Sequence, residues 1–150
     1  MSKFYFSFPS TETALKVSDD IFGILIGNLN IDGFEQHRLK IVVSELFVNA
    51  YLHGNNSDPS KYIDVIIEFD DEEFVVTVKD QGNGIGREKF KVLAETLSAS
   101  MDEHGRGVKI MRKLSDKVDF FKDADGRFCM RAIKKFNNCA KRPDLAGNAI

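Results

Sequence analysis

Glu45-Leu46-Phe47-Val48-Asn49-Ala50-Tyr51-Leu52-His53-Gly54 reads as the end of a long helix that carries two polar residues on an apolar border. The helix is expected from about Phe34 to His53, because Gly54-Asn55-Asn56-Ser57-Asp58-Pro59 stops it. At about 100° per residue, Leu39, Val43, Leu46 and Ala50 cluster on one side. Glu45 and Asn49 share one stripe, about 40° apart, with Ile41 and Leu52 close to it. A carboxylate beside apolar groups costs stability unless it is paired or has a task. An asparagine one turn away offers a neutral oxygen suited to Mg²⁺, whose other ligands are usually waters and phosphate oxygens. On its own the pair also fits two solvated residues at a helix edge. His53 continues the stripe, but a histidine before a helix-ending glycine is commonly a cap contact.

Working outward, Lys3 to Phe8 alternates polar with aromatic residues, as a short strand does. Ser10 or Thr11 can cap a helix reaching about Leu29, with Leu15, Ile21, Phe22, Leu25 and Ile26 as its apolar face. Asn28 to Gly33 reads as a loop. After the long helix, Ile63, Val65, Ile67 and Phe69 share one face of a strand, and Phe74, Val76 and Val78 one face of the next. The acidic stretch Asp70 to Glu73 turns between them, giving an antiparallel hairpin. Arg87 to about Leu93 reads as a short helix, and Ala94 to His104 as a small, polar, mobile stretch. A helix opened by Gly105-Arg106-Gly107 carries Val108, Ile110, Met111 and Leu114. A last hairpin runs from about Lys117 to Lys135 and turns near Asp125-Gly126. The tail 137–150 lacks apolar periodicity and reads as disordered. Helices and strands are mixed without strict alternation, which points to an α+β two-layer sandwich with helices on one face of a mostly antiparallel sheet.

Two glycine-rich stretches follow the polar helix in sequence. Asp80-Gln81-Gly82-Asn83-Gly84-Ile85-Gly86 starts at a strand end. Glycines let backbone approach a flat ligand closely, and an aspartate there can accept from an exocyclic amine such as that of adenine. A plain Asp-Gly turn has the same composition. Gly105-Arg106-Gly107 stands before an apolar-periodic helix, where free N–H groups and the positive dipole end suit an anion. A flexible connector would look alike. The phosphate loop Gly-x-x-x-x-Gly-Lys-[Ser/Thr], the Gly-x-Gly-x-x-Gly fingerprint, the His-Arg-Asp catalytic loop and the His-Glu-x-x-His metal helix are all missing.

The chain has 150 residues, 43% of them hydrophobic and 29% charged, enough for one domain with a core. With a net charge of -2 and no basic stripe, a direct nucleic-acid partner has no electrostatic support. The start lacks a signal-peptide core, and no apolar run approaches the roughly 20 residues of a membrane helix. Cys129 and Cys139 have no metal-type spacing and read as free thiols in a reducing cytoplasm.

Glu45 to Gly54, Asp80 to Ile85, and Gly105 to Asp116 stand in this order along the chain. In order and spacing they resemble the three nucleotide boxes of the gyrase, histidine kinase and MutL ATPase superfamily. Within it they look most like those of the bacterial anti-sigma factor serine kinases of partner-switching systems. The resemblance covers roughly 3–136 and implies a histidine kinase-like ATPase (Bergerat) fold. It implies that Asn49 binds Mg²⁺ bridging the phosphates of ATP, and that Glu45 is the general base. It further implies that Asp80 reads the adenine amine, with Gly82 and Gly84 shaping the pocket. The segment from about Arg87 to His104 would be a lid, and Gly105, Arg106 and Gly107 would hold phosphates. The family's partners are an anti-sigma antagonist, phosphorylated on serine, and a sigma factor or similar regulator; its members are often dimers. Two other functions fit the same boxes: a nucleotide-gated binding switch without transfer, and a slow stand-alone ATPase.

Overall fold

A computed structural model of the chain describes residues 1–82 and 103–137, with side chains in the second stretch from residue 107 onward. The short helix at 87–93, the lid, Gly84, Cys139 and the tail from residue 138 lie outside the described residues, as do the side chains of Gly105 and Arg106.

Strand β1 (Ser2–Pro9) leads into helix α1 (Glu12–Gly27). Thr11 caps that helix by accepting from the Ala14 N–H at 3.1 Å. Helix α2 (Gly33–Asn49) is capped the same way by Asp32, which accepts from the Glu35 N–H at 2.8 Å. The hairpin of β2 (Tyr62–Phe69) and β3 (Glu73–Lys79) follows. Its turn is tied by the Asp70 carboxylate, which accepts from the N–H groups of Glu72 and Glu73 at 2.8 and 2.9 Å. Helix α3 (Glu103–Leu114) precedes the hairpin of β4 (Lys117–Lys122) and β5 (Phe128–Lys135). That hairpin turns at Gly126, whose φ of +78° suits a residue without a Cβ.

The five strands form one sheet in the order β1-β2-β3-β5-β4, with every pairing antiparallel. Register aligns Phe6, Val65, Val78, Met130 and Phe120 in one row across it. Phe4, Ile67, Val76, Ala132 and Val118 make a second row on the same face. The helices cover this face, as expected of an α+β sandwich. Phe22 of α1 and Phe47 of α2 meet Phe8 edge to face, at centroid distances of 5.9 and 5.3 Å. Each such buried ring contributes roughly 1.5–3 kcal/mol. On the outer face Arg131 donates to Thr77 Oγ1 at 2.9 Å and lies 4.7 Å from the Phe121 ring centre, and Val75, Thr77 and Cys129 are buried. Cys129 is a free thiol. No helix among the described residues is long and apolar enough to cross a membrane.

Three expectations need correction. The long helix does not run as one regular α-helix to His53. It changes at Asn49 into a π-turn over Ala50–Gly54, and this shifts every later residue on the wheel. Leu52 is 46% exposed. Helix α3 starts at Glu103, so Gly105 and Gly107 lie inside its first turns, where they were expected to precede it. Finally, the buried residues of α1 are Ala14, Ser18, Phe22 and Ile26, while Leu15, Ile21 and Leu25 are only partly covered.

Candidate functional site

Helix α2 presents Glu45 and Asn49 toward α3. Asn49 is 6% exposed, and its amide nitrogen has no hydrogen-bond partner among the described residues. A buried polar group in this state is costly in a finished core, by about 1–3 kcal/mol, and calls for a partner beyond the described residues. Glu45 is half-buried, and burial pushes its carboxyl above the ordinary value. Gly107 of α3 sits directly against both. A Cβ there would lie 2.5 Å from Glu45 Oε2 and 3.7 Å from Asn49 Nδ2. The close approach of α3 to the carboxylate therefore requires a residue without a side chain at 107.

The π-turn carries the chain from this cluster to a second one. Pi-type turns are rare and concentrate at functional sites. Here the turn ends at Gly54, which backs onto Asp80 at the end of β3. A Cβ on Gly54 would stand 2.2 Å from Asp80 Oδ2, and one on Gly82 would stand 2.0 Å from the Gly54 carbonyl oxygen. Asp80 is 1% exposed, and its Oδ1 accepts from the Gly82 N–H at 3.0 Å. The two glycines and the aspartate thus form a seam in which neither position has room for a side chain.

Asn55 locks this seam, a role invisible in the sequence, where it reads only as part of a helix stop. The residue is fully buried. Its amide nitrogen donates to Ser10 Oγ at 2.6 Å and to the Tyr62 carbonyl at 3.0 Å. Its carbonyl accepts from the Gln81 N–H at 2.7 Å, between Asp80 and Gly82. The clue available beforehand was its place at the junction of a helix end with two strand ends, and only topology supplies that. His53, partly buried, has an interaction partner in the fold.

Of the residues expected at the site, the structure brings Glu45, Asn49 and Gly107 together in one cluster and Asp80 with Gly82 in the other. Residues 12–134 match the family model described as a histidine kinase-like ATPase domain. The chain belongs to this family. Membership in an ATPase family implies ATP as the ligand. Several curated relatives carry the name anti-sigma F factor, two of which illustrate the match. The protein of Clostridium perfringens (strain ATCC 13124) is 30% identical over 102 residues, 66% of this chain and 71% of the relative. That of Geobacillus sp. (strain WCH70) is 33% identical over 85 residues, 56% of this chain but only 58% of the relative's length. A chain in the crystal structure of the SiaB–SiaC complex from Pseudomonas aeruginosa superposes with a TM-score of 0.63 at 16% identity, covering 87% of this chain and 89% of that one. At that identity the likeness is one of fold alone.

Proposed function

We propose that this protein is an anti-sigma factor of the partner-switching type, which uses Mg-ATP to phosphorylate a serine on an antagonist protein and which holds a sigma factor or similar regulator. The observation that carries the reading is the desolvated Glu45 carboxylate beside the unpartnered Asn49 amide nitrogen, with the backbone of Gly107 close against both. The anti-sigma F factor relatives support the partner class.

Each residue has a task in this reading. Asp80 accepts from the adenine amine, in the seam made with Gly82. Asn49 would offer its side-chain carbonyl oxygen to Mg²⁺, while its unpartnered amide nitrogen, a donor, suits a phosphate oxygen. Among the described residues no three His, Cys, Asp or Glu side chains cluster into a metal cage, and Mg²⁺ commonly relies on phosphate and water for the rest of its shell. The ion, when bound, neutralises charge between the phosphates. Gly105 and Arg106 lie near the N-terminal end of α3 and would present backbone to phosphate there. Glu45 receives the proton of the attacking serine hydroxyl, and its raised basicity suits that step.

The test is a melt with and without Mg-ATP, followed by phosphate transfer to candidate antagonist domains. At about 100 times Kd, ligand adds roughly 2.7 kcal/mol, a rise of roughly 5–10 °C for a chain this size. Asn49→Ala is expected to remove the Mg-dependent part of that rise. No shift with any adenine nucleotide would end the reading. A shift without transfer, with partner affinity that differs between ADP and ATP, would replace kinase by nucleotide-gated binding. Gly107→Ala tests the geometry separately. Its Cβ meets only the mobile end of Glu45, and alanine is the better helix former by about 1 kcal/mol. The variant should melt within a few degrees of wild type yet transfer phosphate about tenfold more slowly, because the carboxylate is displaced.

A further inference from the structure

The outer face of the sheet carries a side-chain chain that ends on the back of Asp80. Ser7 of β1 donates to Asp64 Oδ1 of β2 at 2.6 Å. The other oxygen of Asp64 pairs with the Arg127 guanidinium. Arg127, at the start of β5, donates from Nε to the Asp80 carbonyl at 3.3 Å and from Nη2 toward the Lys79 carbonyl at 3.5 Å. Its own N–H is held by Asp123 Oδ1 at 2.9 Å, and the second oxygen of Asp123 pairs with Lys79 at 2.9 Å. Burial pushes the Asp64 carboxyl up, but the bonds from Ser7 and Arg127 outweigh this and hold it below the usual range. The network is therefore charged at neutral pH.

Asp80 is fixed from several directions at once. Its N–H donates to the Phe128 carbonyl at 3.1 Å, its Oδ1 is bound to the Gly82 N–H, and Gly54 lies so close to its Oδ2 that a Cβ there would stand 2.2 Å away. The carbonyl is the remaining backbone group, and Arg127 is what holds it. A planar fork can grip the carbonyl and Asp64 together, which a lysine ammonium cannot do in the same geometry. We infer that Arg127, braced by Asp64 and Ser7, is a positioning residue that sets the angle of Asp80 toward the base and so the preference for adenine over guanine. This rests on the proposed role of Asp80 as the adenine reader.

A positioning group misplaced by a fraction of an ångström weakens the one contact that distinguishes the bases and spares the phosphate contacts common to both. The experiment is displacement of a fluorescent ADP analogue by ATP and by GTP, for wild type, Arg127→Lys, Arg127→Ala and Arg131→Ala. Arg131 lies on the same face and bonds Thr77, away from Asp80, so it reports a merely structural loss. Arg127→Lys and Arg127→Ala should weaken ATP about tenfold and leave GTP nearly unchanged, so that the ATP/GTP ratio falls by the same factor. Arg131→Ala should keep the wild-type ratio even if its melting temperature drops. If Arg127→Ala does not fold, the lysine variant alone decides. A wild-type ratio in Arg127→Lys, or an equal fall in Arg131→Ala, overturns the inference. Wild-type protein that binds neither nucleotide, or binds both alike, refutes the role of Asp80 itself.

Discussion

Glu45→Gln is expected to lower phosphate transfer by about 10²–10⁴-fold while ATP still raises the melting temperature. A positioned proton acceptor contributes that range in general-base chemistry, and glutamine keeps the size of the side chain while losing its basicity. The same variant has a second readout without any partner. Burial raises the Glu45 carboxyl above its ordinary 4.5, so the folded chain holds this proton more tightly than the unfolded one. Below 4.5 the group is protonated in both states and costs nothing. As pH rises through the raised value, the ionised carboxylate opposes folding. Asp58, Asp64, Asp70 and Asp123 are shifted the other way and lose stability as pH falls. They are common to both proteins and cancel in the difference. The glutamine protein should therefore melt higher than wild type at pH 7–8, by roughly 1–3 °C, with the gap narrowing toward pH 4. A variant that transfers phosphate at the wild-type rate, or a gap that widens in acid, contradicts the assignment of Glu45.

Asn55→Ala should cause the larger loss of stability. Three side-chain hydrogen bonds disappear from a fully buried position, and the Gln81 N–H and the Tyr62 carbonyl lose their partner. Only the Ser10 bond is fully buried and the other two are part-buried, so at about 0.5–1.5 kcal/mol for each bond lost the sum is roughly 2–4 kcal/mol. For a chain of this length that is a fall of about 10 °C in melting temperature. Asn55→Asp keeps the acceptor for Gln81 but loses both donations and buries a charge, so it should be no better than alanine. Denaturant melts of the two variants check this. Midpoints within experimental error of wild type would mean that water satisfies the seam as well as Asn55 does.

Local pattern reached the elements but not their arrangement. Alternation placed β2 and β3 within a residue or two of their ends, since period two is a property of the strand itself. Thr11 and Asp32 are caps of ordinary chemistry. What no window of sequence contains is the insertion of β5 between β3 and β4. The start of α3 was misjudged because glycine weakens a helix locally, while here contact with Glu45 selects it. Glu45 and Asn49 stand out in the sequence as polar residues on an apolar border and Asp80 as an aspartate at a strand end, and the resemblance of the three boxes is what implies roles for them. Asn55 and Arg127 were not legible. Their importance comes from partners far along the chain, Ser10 and Gln81 for one and Asp64 and Asp80 for the other.

The strand order has a consequence for the chain as it is made. Strand β3 offers Phe74-Val75-Val76-Thr77-Val78, buried on both faces in the finished sheet, and its inner neighbour β5 ends at Lys135. At ribosomal speeds of about 5–20 residues per second, roughly 3–11 s separate the synthesis of β3 from that of the strand that covers it. During that interval a nascent chain with β1 to β3 already paired would expose its most apolar edge, open to the same strand on a neighbouring nascent chain. Slower translation across 80–135 would lengthen that exposure, and yield in the cell should then depend on elongation rate more than on the stability of the completed fold.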